Sequence, residues 1–232
     1  MPIQAVEPRR LYRQVADQLR QLIDAGEFPV GARLPTEREL ADQLGISRPT
    51  VREALIALEV EGRIRIRVGS GIYVTAPPPA VSPPRDMVEG PFELLRAREL
   101  IEGAIAAEAA VRVAPADIET VDDTLRRMDE AGDTVGTAIA LDREFHTTVA
   151  GILGNAVLVR FIGELFDQRM NPYFERLSVY FENKESWRAA VEEHREVRDA
   201  IAAQDPKRAK AAMQAHLQLS QTRFSQNFGE MS

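Results

Sequence analysis

Asp142 and His146 stand four residues apart in LDREFHTTVA, residues 141–150, within a stretch of helical periodicity. At 3.6 residues per turn they share one helix face with Phe145, Val149 and Leu153, the face a helix turns toward a core. A carboxylate and an imidazole placed there need partners, because an unpaired buried polar group is costly. They could satisfy one another as a core pair, or both could chelate a metal, which also requires two donors on one face. The chain has three histidines in all. His194 falls on the stripe Trp187, Ala190, Val191, Val197 and Ile201, and His216 lies between Met213 and Leu217, so both are also directed inward. Scattered through a core, three imidazoles and one carboxylate would each need a separate partner; around one divalent cation they satisfy each other. Three nitrogens and one oxygen suit Zn²⁺, Ni²⁺, Cu²⁺, Fe²⁺ or Mn²⁺ and do not suit Ca²⁺ or Mg²⁺. Three independent core histidines are the alternative.

These residues must be positioned by a chain of 232 residues, 44% apolar and free of cysteine, which has room for one large domain or two ordinary ones. Disulfides, thiolate metal sites and cysteine nucleophiles are thereby excluded. No apolar run reaches the length of a membrane span and the N-terminus lacks an apolar signal core, so a soluble, cytoplasmic protein with no membrane partner is expected. The net charge of −7 is unevenly distributed: residues 1–75 carry 11 arginines against 10 acids, and the remainder is strongly acidic.

APPPAVSPPR, residues 76–85, has five prolines in ten positions and reads as an extended linker, placed at 76–90. Ahead of it, Leu11, Val15, Leu19 and Leu22 mark a first helix stopped by Gly26. Thr36 and Glu39 form a capping box for a short second helix that ends at Leu44-Gly45. Ser47 caps a third, which buries Val51, Ala54, Leu55 and Leu58 and is expected to leave Arg48 and Arg52 one turn apart on its outer face. In RIRIRV the period switches to two, with Ile64, Ile66 and Val68 on one face and Arg63, Arg65 and Arg67 on the other; a Gly69–Gly71 turn leads to a return strand. The expectation for 1–75 is a winged helix-turn-helix. Residues 91–232 read as amphipathic helices with short connections, an all-helical antiparallel bundle.

Arginine at the start of a recognition helix matches the O6/N7 edge of guanine, and serine and threonine there can reach phosphates or bases. The segment LPTERELADQLGISRPTVREALIALEVEGRIRIRVGSGIYV resembles the winged helix of the GntR family of bacterial transcription regulators, over about residues 8–75. The resemblance implies DNA contacts at Arg38, Ser47, Arg48, Thr50, Arg52 and the wing-tip Gly69. It departs at Val68, where some relatives carry a polar residue that reads the minor groove.

The series D-x3-H, then a histidine in EEHREVRDAI, then one in MQAHLQLS, is similar to the FCD effector domain of the FadR-like branch of that family, over roughly 91–225. This implies the ligand role for Asp142, His146, His194 and His216. It also implies that Arg98, in RARELIEG, lines a ligand cavity and pairs with a carboxylate there; Asn155 and Trp187 are further candidates for its lining, with ordinary capping and core packing as the alternative for both. A divalent cation held by one aspartate and three neutral histidines keeps a net charge near +1, and a buried Arg98 adds to it, so a small organic acid is the expected effector.

The function expected is a ligand-responsive regulator, a repressor acting as a homodimer on palindromic double-stranded operator DNA. Two alternatives stand beside it. An Asp/His₃ site with open positions could be that of a metalloenzyme, but no additional general base is recognisable and an enzyme does not need a winged helix. A purely structural metal with a nonpolar effector fits less well with a complete ligand set and Arg98.

Overall fold

The computed structural model describes residues 11–67, 70–76, 91–131, 135–168 and 184–226. The chain divides into two compact units at Gly90/Pro91; the 76–90 linker lies almost wholly outside the described residues, as does the continuation of helical pattern expected after 168.

In the N-terminal unit, α1 (Leu11–Asp24) buries Tyr12, Val15, Ala16 and Leu19 and packs on α3. Helix α2 (Glu37–Leu44) begins at the expected capping box: the Glu39 amide donates to Thr36 Oγ1 (3.3 Å) and the Thr36 amide to Glu39 Oε2 (2.7 Å). It ends at Gly45, whose φ of +65° closes the turn. Helix α3 (Arg48–Val60) starts at Ser47, whose side chain accepts from the Thr50 amide, and buries Val51, Ala54, Leu55 and Leu58 completely. Strands β1 (Ile64–Arg67) and β2 (Gly71–Val74) pair antiparallel, with Ile64 opposite Val74 and Arg67 opposite Gly71. Ile64, Ile66, Ile72 and Val74 point into the core, while Arg65 and Arg67 are exposed. The buried Glu59 carboxylate accepts from the Ile66 amide (2.7 Å), tying the end of α3 to the hairpin.

The second unit is all helical: α4 (Pro91–Arg112), α5 (Pro115–Glu130), α6 (Val135–Gly151), α7 (Ala156–Asp167), α8 (Lys184–Ala202) and α9 (Pro206–Gln226). Helix α4 occupies the middle, packing on α6, α7 and α8. At Gly103 the Gln214 side chain of α9 comes so close that a Cβ would meet its Cγ at 2.8 Å, so the absent side chain is what lets these two helices approach. Leu95, Ala106, Phe145, Val149, Ile162, Phe166, Val197, Ile201 and Leu217 form the core, and the side chains of Asp142, His146, His194 and His216 project into it. No described helix is long and apolar enough to cross a membrane.

Candidate metal centre and nucleic-acid interface

Helix α6 supplies Asp142 and His146, α8 supplies His194 and α9 supplies His216; one donor atom from each lies within 4.8 Å of all the others. All four residues are buried, and His194 is fully so. His194 Nε2 is 3.3 Å from both His146 Nε2 and Asp142 Oδ1, and His146 Nε2 is 3.5 Å from the same oxygen. A triangle with those edges has its centre about 2 Å from each corner, the bond length of a first-row divalent metal to imidazole nitrogen or carboxylate oxygen. His216 donates from Nδ1 to Glu193 Oε2 (2.9 Å), which leaves its Nε2 as the donor atom for the centre. The donor set and its spacing therefore fit a transition metal.

Two carboxylates support the ligands from outside. Glu193 receives His216 Nδ1 and is itself held by Arg223, through Nη1 at 2.6 Å and Nη2 at 3.1 Å. Glu102, on α4, contacts His146 Nδ1 and accepts from Arg98 Nε (2.6 Å). Carboxylates in these positions fix ring orientation and raise the basicity of the ligating nitrogen. Burial would raise the Glu102 pKa, but Arg98 and His146 hold it down at about 2. Burial and the neighbouring His216 lower His194 to about 3, and burial lowers His216, so both are neutral and able to ligate. Burial opposes the charged form of His146 as well, but there the Glu102 and Asp142 carboxylates prevail and its pKa is raised.

Glu102 and Glu193 are the site residues that sequence reasoning missed. Glu102 had a signal, standing one turn after Arg98 on the same helix face. Glu193 had only its place beside His194 in EEHRE.

Arg98 is buried as expected, 3.7 Å over the Phe166 ring, and Phe166 in turn lies against His146. The expected extra positive charge is not there, however, because the Glu102 carboxylate cancels it. One guanidinium nitrogen, Nη2, is buried with no hydrogen-bond partner. The other two expected cavity residues are not brought to the centre. Asn155 is exposed and caps α7, its Oδ1 accepting from the amides of Val157 and Leu158. It lies eleven residues, or about 16 Å of helix rise, from Phe166. Trp187 donates its indole N–H to the Met128 carbonyl (3.2 Å), two turns before His194, in the packing of α5 on α8.

In the N-terminal unit, Arg38 and Arg48 are exposed, as is Ser47, whose hydroxyl is shared with Thr50 (2.8 Å) in the cap of α3. Arg52 departs from expectation: it is 2% exposed, not on the outer face. Its guanidinium makes a two-pronged bond to Glu37 of α2, Nε to Oε2 at 2.8 Å and Nη2 to Oε1 at 2.9 Å. Arg48 Nε also donates to Glu37 (2.8 Å) while half its side chain stays exposed. A buried carboxylate in the first turn of α2 thus organises both arginines. Gly69 and Val68 lie outside the described residues.

Comparison with known proteins bears on both units. Residues 11–74 match the family of bacterial regulatory proteins, gntR family, and residues 93–219 match the FCD domain. The chain is 37% identical over 225 residues to the Exu regulon transcriptional regulator of Escherichia coli K12, covering 93% of this chain and 85% of that one. It is 34% identical over 212 residues to the Uxu operon regulator of Haemophilus influenzae, covering 90% and 80%. Among solved structures, E. coli McbR/YncC shares the fold at a TM-score of 0.53 and 23% identity, over 95% of this chain and 99% of that one. The families and named relatives are transcriptional regulators and not enzymes, which removes the metalloenzyme reading. The chain belongs to the GntR family, as a DNA-binding transcriptional regulator whose helical unit is an effector-binding FCD domain.

Proposed function

We propose that the Asp142/His146/His194/His216 centre holds a divalent first-row transition metal, zinc, nickel, manganese, iron or copper. A small organic acid binding beside it changes how a homodimeric repressor engages a palindromic operator. The observation that carries this reading is the buried convergence of four donor atoms from three helices within 4.8 Å. Left without a cation, those groups would be confined against one another, with His194 Nε2 3.3 Å from both His146 Nε2 and Asp142 Oδ1.

When bound, the metal supplies coordination positions to an oxygen ligand. The chain's own contribution to an acid is Arg98. Glu102 occupies its Nε and fixes the plane of the guanidinium, so a carboxylate has the buried, unpartnered Nη2 to accept from. Protein purified without chelators is expected to contain about one transition metal per chain, and small carboxylates to raise its melting temperature where their neutral amides do not. Arg98→Ala should retain the metal and lose most of the shift produced by the acid. Arg98→Lys keeps the charge beside Glu102 but not the fork, and should behave like the alanine variant. An unchanged shift in both would remove Arg98 from the effector site.

The dimer is assigned to the helical unit. Leu100, Ala104 and Val111 form an exposed apolar stripe on α4, with Leu100 55% and Val111 62% exposed, and Val157 and Phe161 stand exposed one turn apart on α7. Sedimentation of a chain beginning near Asp86 should show dimers, and Leu100→Glu with Val111→Glu should shift it to monomer. A monomer at micromolar concentration before substitution would count against the assignment.

A further inference from the structure

Arg33 lies in the segment GARLP ahead of α2, and no sequence signal singled it out. In the structure this segment joins β2 through a single isolated bridge: the Leu34 amide donates to the Ile72 carbonyl (2.8 Å), the Val74 amide to Ala32 (2.9 Å) and the Gly31 amide to Val74 (2.9 Å). Arg33 is thereby paired antiparallel with Tyr73, and Tyr73 with Arg65 on its other side. Directly opposed residues project from the same face of a sheet, and residues two apart along a strand share it. Arg33, Tyr73, Arg65, Arg67 and Gly71 therefore lie on one face, opposite the buried Ile64, Ile66, Ile72 and Val74. The Arg33 guanidinium lies over Gly71, where a Cβ would meet its Nε at 2.5 Å, and Gly71 is the cross-strand partner of Arg67. Arg67 in turn sits 5.1 Å over the Tyr73 ring, whose hydroxyl donates to the Ser70 carbonyl (3.0 Å).

Other arginines of this unit are neutralised: Arg20 by Glu61, Arg52 by Glu37 and Arg63 by Asp24. Arg33, Arg65 and Arg67 form no ion pair with a carboxylate among the described residues, and Arg33 feels Glu39 only at longer range. Like charges gathered on one rigid sheet face repel unless an anion lies between them. Glycine at 71 leaves the space in which the Arg33 guanidinium sits beside Arg67.

Resting on the DNA-binding assignment, we propose that Arg33 is a DNA-contacting residue that, with Arg65 and Arg67 around Gly71 and Tyr73, forms a seat for backbone phosphates on the sheet face of the wing. The contact is to phosphate and not to base edges, so it acts on any duplex. A guanidinium that neutralises a phosphate releases a counterion, and its removal lowers the salt dependence of binding by a defined amount.

The test is fluorescence anisotropy with the full chain on two short random-sequence duplexes, one A·T-rich and one G·C-rich, across a series of salt concentrations. Arg33→Ala should weaken both by the same factor and reduce the slope of log K against log salt by ~0.9 for each phosphate left without its guanidinium. Arg33→Lys should restore most of the slope. Arg126→Ala, the same change of charge on exposed α5, should leave it unaltered. A wild-type slope in Arg33→Ala would overturn the proposal, as would a weakening confined to one duplex, which indicates base or groove reading. If the wild-type chain itself binds neither duplex in a salt-dependent way, the failure lies with the DNA-binding assignment and not with Arg33.

Discussion

His146→Ala protein is expected to bind its metal at least ~100-fold more weakly than wild type and to lose the response to small carboxylates with it. Loss of a partner outside the coordination sphere typically weakens metal binding 10–100-fold, and His146 loses more than that. Its Nε2 is one corner of the donor triangle, at 3.3 Å from His194 Nε2 and 3.5 Å from Asp142 Oδ1. Its Nδ1 also holds Glu102, which orients Arg98. One substitution therefore opens the coordination sphere and frees the carboxylate that aligns the guanidinium. Acid should release the metal from wild type in the same direction, because a proton and a cation compete for one nitrogen. With no metal bound, His146 has its pKa raised above 6.5 while His194 is lowered to about 3, so His146 is the first ligand to take up a proton as pH falls. Metal content measured by elemental analysis after equilibration at decreasing pH should fall progressively as protons displace the cation from its nitrogen ligands. Undiminished metal in the alanine variant would show that His146 is not a ligand, and a metal-free wild type that still responds to carboxylates would return all three histidines to the core.

Arg52→Ala should destabilise the N-terminal unit by about 3 kcal/mol, at the low end of the range for breaking a buried ion pair. The substitution leaves the Glu37 carboxylate, 2% exposed, with the single contact from Arg48 that keeps the effect from being larger. Arg48→Ala should be nearly neutral in a urea melt, since half its side chain is in water, yet weaken operator binding by about 1–3 kcal/mol. The two arginines, one turn apart, are thus expected to separate into one that holds α2 against α3 and one that reads DNA. Glu37→Gln combined with Arg52→Ala should recover part of the stability, because a neutral amide tolerates the site better than an unpaired charge. An Arg52→Ala chain that melts at the wild-type urea concentration would place Arg52 back on the outer face.

Much of this architecture is legible from local rules. The capping box at Thr36 and Glu39, the Ser47 cap and the alternation Ile64-Arg65-Ile66-Arg67 each depend on residues within a turn or strand of one another, and each is found where local chemistry puts it. The inward direction of Asp142, His146, His194 and His216 is equally readable, because the hydrophobic stripe of a helix defines which way its own side chains face. Their meeting at one centre is implied by resemblance and by the economy of a shared cation; α6 and α8 pack on α4, α9 touches it at Gly103 and Glu99, and the four side chains come together.

What periodicity cannot supply is the identity of the partner across a helix interface. Arg52 is charged and lies one turn from Arg48, so one-dimensional reading turns both outward; the first turn of α2 instead presents Glu37 to Arg52 at hydrogen-bond distance and offsets the cost of burying it. Arg98 does point inward, as its helix face requires, but its charge is cancelled by Glu102, which also touches a ligand from another helix. Asn155 and Trp187 go the other way, drawn off by a nearby amide pair and a carbonyl of α5. Arg33 gains its position from a backbone pairing forty residues away in sequence. The sequence by itself thus determined the elements, most of their buried faces and the side-chain types at the Asp/His centre. The tertiary structure decided which charges are neutralised, because Coulomb energy and desolvation depend on the atoms that face a group in space and not on the helix that carries it.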